Sequence, residues 1–467
     1  MNKKHLLAAS IIALAGNAFA GGYLTNTNQS IYFLRNPARD AAIGIDGVYY
    51  NPAGAAFYDD GFHIQFNWQN AHQKRDAYAI YPLGGVLPSP LYNFNFGNPA
   101  NTPDGGRKFT GRVDVPIQPS LFALYNTGDW SFQFGFGVIG GGGNCEFENG
   151  VGMFEALVGS KALTALGKGF GGYSMDGYVN GKSYYFGGTF TVARKLSEKL
   201  SVSLGLRGIY ATNNYTGHIK NIKFGMLTGL ADNPLVVIDQ TQNPALADLE
   251  LDCDQKGFGI APIIGIDWKA ADWVNIAAKV EFKTKLRVES EAHNNAAFDA
   301  LAGSNPAFAA YTDGAKTPCD MPTIAAIGAQ FMPTEALRLN VGYHHYFDMD
   351  TKQWTKDMVG NTNEIVFGAE YDISEMFEIS AGLQRTIYDQ TDLNISDMSF
   401  NMTSFCYGFG IGVRVSPAIK LNAAYFQTFY DDYNKTEYLD PANTMVKSTT
   451  KYSRTNRVIG LGIDISF

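Results

Sequence analysis

The sequence predicts an all-β chain: a transmembrane antiparallel β-barrel of about fourteen strands with an N-terminal plug in its lumen. Three observations lead there. The chain opens on an export signal, strand-period alternation runs through most of the remaining residues, and the connections are short and long in strict turn. After the first twenty residues, no segment approaches the ~20 consecutive apolar residues of a membrane helix, so crossing a membrane falls to strands.

Residues 1–20 have the layout of a secretory signal peptide. Lys3 and Lys4 are followed by the apolar run "LLAASIIALAG" and by small residues at Ala18 to Ala20. The apolar run is too short to span a bilayer, and cleavage is expected after Ala20. Residues 21–60 then lack alternation but are rich in turn-formers and aromatics. In "DGVYYNPAGAAFYDDG" (46–61), Pro52 and Gly54 are expected to fix a turn, and Asn51 to satisfy backbone groups inside a lumen. This segment is expected to be a hatch, with residues 61–467 forming the barrel.

Apolar and polar or small residues alternate along the barrel segments, as strands that separate lipid from lumen require. In "NRVIGLGIDISF", Ile459, Leu461, Ile463, Ile465 and Phe467 share one face and Gly460, Gly462, Asp464 and Ser466 the other. In "DWSFQFGFGV" the apolar face is Trp130, Phe132, Phe134, Phe136 and Val138. Strands are predicted over 61–70, 112–126, 129–140, 182–195, 199–220, 255–268, 272–289, 320–332, 335–348, 361–373, 376–389, 400–415, 418–431 and 453–467. Tight turns fall at "NTGD", "LSEK", "KAAD", "MPTE", "ISEM" and "SPAI". Long connections fall at 71–111, 141–181, 221–254, 290–319, 349–360, 390–399 and 432–452. Soluble sandwiches and propellers do not need that asymmetry. An even strand number puts both barrel ends on the periplasmic side, and the terminal Phe467 fits recognition by outer-membrane assembly machinery.

The lumen face is rich in glycine, including Gly135, Gly137, Gly342, Gly368, Gly382, Gly408, Gly410, Gly412, Gly460 and Gly462. Removing side chains from an inner wall makes room for something. Charge is concentrated in "WVNIAAKVEFKTKLRVES", where Lys279, Glu281, Lys283, Lys285, Arg287 and Glu289 are expected to face inward, with Arg207, Arg338 and Arg414 elsewhere. These form either a salt-bridged interior around the plug or a partner for a ligand carboxylate. The third strand ends in Gly140, Gly141, Gly142 and Gly143, a run free to kink.

Two long outer connections are apolar with helical spacing: Phe154, Leu157, Val158, Leu163 and Leu166 in one, and Phe298, Leu301 and Phe308 in the other. They suit capture of hydrophobic molecules or packing on one another. Cys253 and Cys319 are the expected disulfide, with Cys145 competing and Cys406 on the lumen face. His344 and His345 point to opposite strand faces, which disfavours a shared metal, and Asp348 and Asp350 read as a solvated loop edge. No catalytic, metal or cofactor pattern stands out. The acidic balance, 36 basic against 44 acidic residues, argues against nucleic acid.

The segment "YYNPAGAAFY", preceded by "ARDAAIGIDG", resembles the N-terminal hatch of the FadL/TodX-type outer-membrane transporters of long-chain fatty acids and hydrocarbons. Asn51, Pro52 and Ala53 match the family's Asn-Pro-Ala motif, and Gly54 comes next. The resemblance implies a fourteen-stranded barrel with a hatch, and a third strand kinked to open the wall sideways. It also implies passive uptake of hydrophobic molecules across a Gram-negative outer membrane, without enzyme activity or cofactor. Contacts are then expected with membrane lipid and lipopolysaccharide, and the protein is expected to be a monomer. The sequence departs from the family late on the fifth strand, where Gly217 and His218 stand in place of a basic residue. A general diffusion porin and a structural or adhesive barrel are the alternatives.

Overall fold

The computed structural model describes residues 24–467 apart from 82–103, 231, 233–234, 244–246, 305–307, 355–356 and 441–442. The expected signal peptide lies outside them. The strands are β1 (Gly61–Ile80), β2 (Gly106–Thr127), β3 (Trp130–Phe147), β4 (Phe170–Ser197), β5 (Leu200–Leu227) and β6 (Leu235–Asp239). Next come β7 (Leu249–Ala271), β8 (Val274–Glu281), β9 (Arg287–Ala292), β10 (Lys316–Pro318), β11 (Ile324–Phe331) and β12 (Leu337–Tyr346). The last are β13 (Thr362–Asp372), β14 (Phe377–Ile387), β15 (Ser404–Ser416), β16 (Ile419–Tyr430), β17 (Tyr433–Asp440) and β18 (Asn443–Ser466).

Four of the barrel's fourteen staves are broken into two pieces: β6 with β7, β8 with β9, β10 with β11, and β16 with β17. All pairings are antiparallel, and β18 closes on β1 from His63↔Ser466 to Ile80↔Thr449. Closure leaves no unpaired edge in hydrocarbon. The outward residues of the staves are bare aromatics and aliphatics, among them Phe62, Phe66, Phe132, Phe134, Leu204, Leu206, Phe367, Phe409, Ile459 and Leu461. That is the lipid-facing band of a transmembrane barrel.

The tight turns fall where expected, but the strands outrun the predicted spans on the opposite side. β4 and β5 each run 28 residues, about 90 Å of strand against a hydrocarbon layer of about 30 Å. Much of the expected loops 71–111, 141–181, 221–254 and 432–452 is therefore strand that stands above the membrane.

The stave made by β8 and β9 corrects one expectation. Ile263 pairs with Glu281 on β8, and Gly257 pairs with Val288 on β9, so one extra residue enters the ladder across 282–286. A single inserted residue turns every later side chain to the other face. Lys279 and Glu281 are buried inside as predicted, but Lys285, Arg287 and Glu289 point outward and Thr284, Leu286, Val288 and Ser290 inward. Lys283, within the inserted stretch, is half-buried and reaches the carbonyl of Asp350 at 2.7 Å. Lys285 does not line the lumen. Asp348, expected at a solvated edge, is buried and accepts from the Thr362 N–H at 3.0 Å.

Inside the barrel, residues 24–60 coil through α1 (Ile31–Arg35), α2 (Gly47–Tyr50) and a 3-10 turn (Gly54–Phe57). Nearly all of them are buried. The inner-wall glycines are their seat. A methyl on Gly408 would overlap the Leu34 carbonyl, and one on Gly410 or Gly460 would overlap Arg35 or Ile31. A methyl on Gly368 would overlap Asn36, and one on Gly328 would come within 2.6 Å of Asp40. The glycines let the hatch lie directly on wall backbone.

Candidate functional site

Polar bonds to the wall hold the hatch in place. Asn51 donates from Nδ2 to Asp267 Oδ2 of β7 at 2.6 Å, while its Oδ1 accepts from the Gly54 N–H at 3.0 Å. Gln133 of β3 donates to the Pro52 carbonyl at 2.7 Å, and Ser201 of β5 to the Ala53 carbonyl at 2.7 Å. Three strands thus grip the Asn-Pro-Ala turn. Asn275 of β8 completes the grip, donating to Asp267 at 2.8 Å and to the Ala41 carbonyl at 2.8 Å.

The hatch uses the same device a second time, a use not anticipated from the sequence. Asn36-Pro37-Ala38 repeats the tripeptide: Asn36 Oδ1 accepts from the Ala38 N–H at 3.0 Å and Nδ2 donates to Glu370 of β13 at 3.2 Å. In both copies the asparagine ties a local turn to a buried wall carboxylate. Around the second copy, Arg35 binds Glu378 and donates to Ser380 at 2.7 Å and Asn422 at 2.7 Å. Arg39 spans Asp46 (2.8 and 3.0 Å) and Glu370 (2.5 Å). His344 stands between Asp40 and Glu364, 2.9 Å from each; His345, on the opposite face as expected, takes no part. Charges in a sheltered segment and inward-parity glutamates at 364 and 370 were the signal for this network.

The remaining predicted lumen cations divide. Arg207 is buried, pairs with Glu281 at 2.5 Å and lies 4.7 Å from the Tyr49 ring centre. Arg338 is held by Asp372 (2.6 Å), Glu378 and Glu370 at the hatch end. Arg414 is exposed.

The wall is interrupted beside the glycine run. β2 and β3 pair from Thr127↔Trp130 to Leu121↔Phe136 and again only at Val113↔Cys145 and Arg112↔Glu146. Residues 114–120 and 137–144 therefore face each other without a ladder. On the other side β3 slips against β4 on either side of Gly140, with Gly141 (φ 90°) and Gly143 (φ 74°) in the left-handed region that favours glycine. Val138, expected outside, is buried although it still pairs in register with Phe186. The hatch takes up the carbonyls that this break frees: Asn26 N–H binds Ile139 O at 2.8 Å, and Asn26 and Gln29 side chains bind Val138 O at 2.9 and 2.7 Å. A small void lined by Val48, Tyr49, Phe122, Phe136 and Ile139 lies just behind the gap. Above it, a mostly apolar pocket is lined by Leu24, Tyr185, Tyr215, Tyr311, Cys319 and Trp354.

The outer end is covered from three sides. α3 (Gly152–Leu166) packs on β4, β5 and β17, and α4 (Ala296–Ser304) on β7. Val158 and Phe298 are buried in these contacts, while Phe154, Leu157, Leu163, Leu166, Leu301 and Phe308 are half-buried. Phe298 and Phe308 meet edge-on at 5.6 Å. Glu155 of α3 bonds Arg107 (2.5 Å) and the Tyr173 hydroxyl (2.7 Å), and burial pushes its carboxyl above the usual range against both partners. The third cover is residues 394–402, of which 394–399 were expected in an outer loop and 400–402 in a strand; the segment is folded inward and almost wholly buried. Its Asp397 accepts from the Met153 N–H at 2.7 Å and the Tyr452 hydroxyl at 2.8 Å, which joins it to α3.

The expected Cys253–Cys319 disulfide is absent: all four cysteines are free thiols. Cys253 pairs with Ala292 on β9, whereas Cys319 bonds to Leu286, six residues along the same stave. That offset is about 20 Å of strand, beyond the ~7 Å that a disulfide spans.

A closed fourteen-stave barrel with an N-terminal hatch in its lumen defines the class: the chain has the FadL/TodX-type fold. Among solved structures it is similar to a Pseudomonas aeruginosa FadL homologue, at 13% identity and TM-score 0.64, over 95% of this chain and 99% of that one. It is similar also to the Pseudomonas putida toluene transporter TodX (12%, 0.54, 96% and 99%) and the Ralstonia pickettii toluene transporter TbuX (12%, 0.52, 93% and 100%). No family model and no curated protein matches the sequence.

Proposed function

We propose that this protein is a passive channel of a Gram-negative outer membrane that takes up hydrophobic small molecules. The observation that carries the reading is the unpaired stretch between β2 and β3, set beside a lumen that the hatch fills. Apolar side chains of α3 and α4 receive the solute, and the pocket at Leu24, Tyr215 and Tyr311, about 30 Å³ as it stands, widens to pass it. It leaves sideways past Ile139 and Phe136 into lipid. Such a route spares an apolar solute both the polysaccharide barrier and a water-filled pore. Fold likeness to a FadL homologue and to toluene transporters supports it.

Reconstituted protein should deliver a labelled arene or fatty acid into liposomes and exclude a small sugar. Passage of sugar without passage of the hydrophobe would overturn the reading in favour of a porin. A cysteine pair at Ser120 and Gly137 tests the exit in a background where native cysteines are serine. A Cβ on Gly137 lies 3.4 Å from that of Ser120, close to disulfide reach. Oxidation should stop delivery and reduction restore it; equal rates in both states would exclude a lateral exit there.

A further inference from the structure

The outward residues of β18, β1 and β2 locate the outer edge of the lipid band. On β18 they are apolar from Phe467 up to Ile459 and polar from Arg457 onward; on β1 the change falls at Asn70 and His72, and on β2 between Ile117 and Asp114. Strand register groups cations on the first two polar rows. Arg457, His72 and Asp114 lie side by side on β18, β1 and β2, and Lys74 and Arg112 are direct partners one row above. Like charges placed opposite each other in a ladder repel, and an anion laid over them relieves that cost. On the inner face beside them, Arg75 and Arg454 are also direct partners and both buried, so positive charge stands on both sides of this wall.

The carboxylates at hand are already engaged. Asp114 is bonded by His72 at 2.5 Å, and Asp76 is shared by Lys74 (2.9 Å) and Lys108 (2.6 Å). Glu146, the β3 partner of Arg112, accepts from the Tyr178 hydroxyl at 2.8 Å. Among the described residues Arg112 and Arg457 make no ion pair, and both are exposed. A guanidinium offers parallel donors that match two phosphate oxygens. With strands about 4.8 Å apart, the two arginines start about 10 Å apart across β1, a span that suits a headgroup with more than one phosphate. Directly below lies the opening, where residues 114–120 have no ladder to β3. On the β1 side an extra residue between Val115 and Gln118 pushes Pro116 and Ile117 out of register, and both are exposed.

We propose that Arg112, Arg457 and Lys74 hold the phosphates of an outer-leaflet glycolipid, the phosphorylated and multiply acylated lipid A of lipopolysaccharide, and that its chains cover the opening between β2 and β3. Cations standing just above the hydrocarbon attract anionic headgroups at that depth. From there the chains run down past Ile117 toward Phe136, the exposed aromatic on the facing lip. They keep water from the opening and are the first apolar surface that a departing solute meets. This partner goes beyond the channel reading, and depends on it only for the membrane that the wall faces.

The test titrates the full-length protein in detergent by native mass spectrometry with bisphosphoryl lipid A, with the same lipid stripped of phosphate, and with inorganic phosphate as competitor. Wild type should prefer the bisphosphoryl form and keep it in excess inorganic phosphate. Arg112→Gln with Arg457→Gln should weaken it about 25-fold, about fivefold for each cation beside an anionic lipid. Lys256→Gln with Lys316→Gln removes two exposed cations of β7 and β10 that already pair with glutamates, and should weaken it less than about twofold. Both pairs should leave barrel melting unchanged, because the side chains are exposed. Placement is read with a benzophenone on Ile117→Cys in the background where native cysteines are serine. It should crosslink lipid A, whereas one on Phe258→Cys, an exposed apolar position just below Lys256 on β7, should do so far less. Equal affinity of wild type and the arginine pair variant, or an equal loss in the lysine pair variant, would overturn the proposal and leave solute delivery untouched. So would displacement by inorganic phosphate, or crosslinking from Phe258→Cys as strong as from Ile117→Cys. Sugar passage without hydrophobe passage would instead bring down the channel reading while the lipid site stood.

Discussion

Gly54→Ala tests whether the Asn-Pro-Ala turn bolts the hatch shut. A Cβ at this position would overlap Asn51 Nδ2 and lie 2.5 Å from Asp267 Oδ2, the two atoms that bond each other. The methyl cannot be accommodated without parting them. Losing a hydrogen bond to a charged acceptor costs about 1.5–3 kcal/mol, and overpacking a well-filled site about 1–3 kcal/mol, together about 3–6 kcal/mol against the docked turn. At about 1.4 kcal/mol per decade, the ratio of released to docked hatch should rise by about two to four orders of magnitude. The Gln133, Ser201 and Asn126 bonds to the turn would be lost in the same event. Planar-bilayer recording is the assay: the variant should show frequent open-channel events where wild type shows few, with unchanged barrel melting. Adding Asn51→Ala removes the clash but also the bond, so the double variant should be less than additive. A Gly54→Ala trace as quiet as wild type would refute the idea that this turn holds the hatch.

The outer cover should respond to pH. Because burial raises the Glu155 carboxyl above its ordinary 4.5, docking of α3 is favoured while that group is protonated, and this contribution fades as pH rises through the raised value. Hydrogen exchange over 152–166 should therefore show α3 more protected at pH 4 than at pH 8, after correction for the intrinsic exchange rate, and Glu155→Gln should remove the difference. Thiol titration of denatured, unreduced protein should count four free cysteines. A count of two would restore the disulfide that the strand register excludes.

Barrel and topology were legible in the sequence because a membrane wall imposes a local rule. Every stave must alternate between lipid and lumen, and turns must differ between the two sides. Phe132, Leu204, Phe409 and Ile459 obeyed that rule residue by residue, and the glycines of the inner face announced a guest before its shape was known. The rule failed where one residue broke it. The insertion across 282–286 sent Lys285 outward. Parity carries no signal of a bulge until the partner strand is known.

By itself the sequence determined a fourteen-strand transmembrane barrel, an N-terminal hatch and the Asn-Pro-Ala turn. Only the tertiary structure decided which wall groups meet the hatch, where the ladder opens, and that the cover at 394–402 folds inward. The same is true of the pairing of Arg75 with Arg454, nearly the whole chain apart in sequence. The physical reason is range: alternation and turn chemistry act between neighbours, whereas a buried charge is made costly or useful by whatever closure of the barrel places beside it.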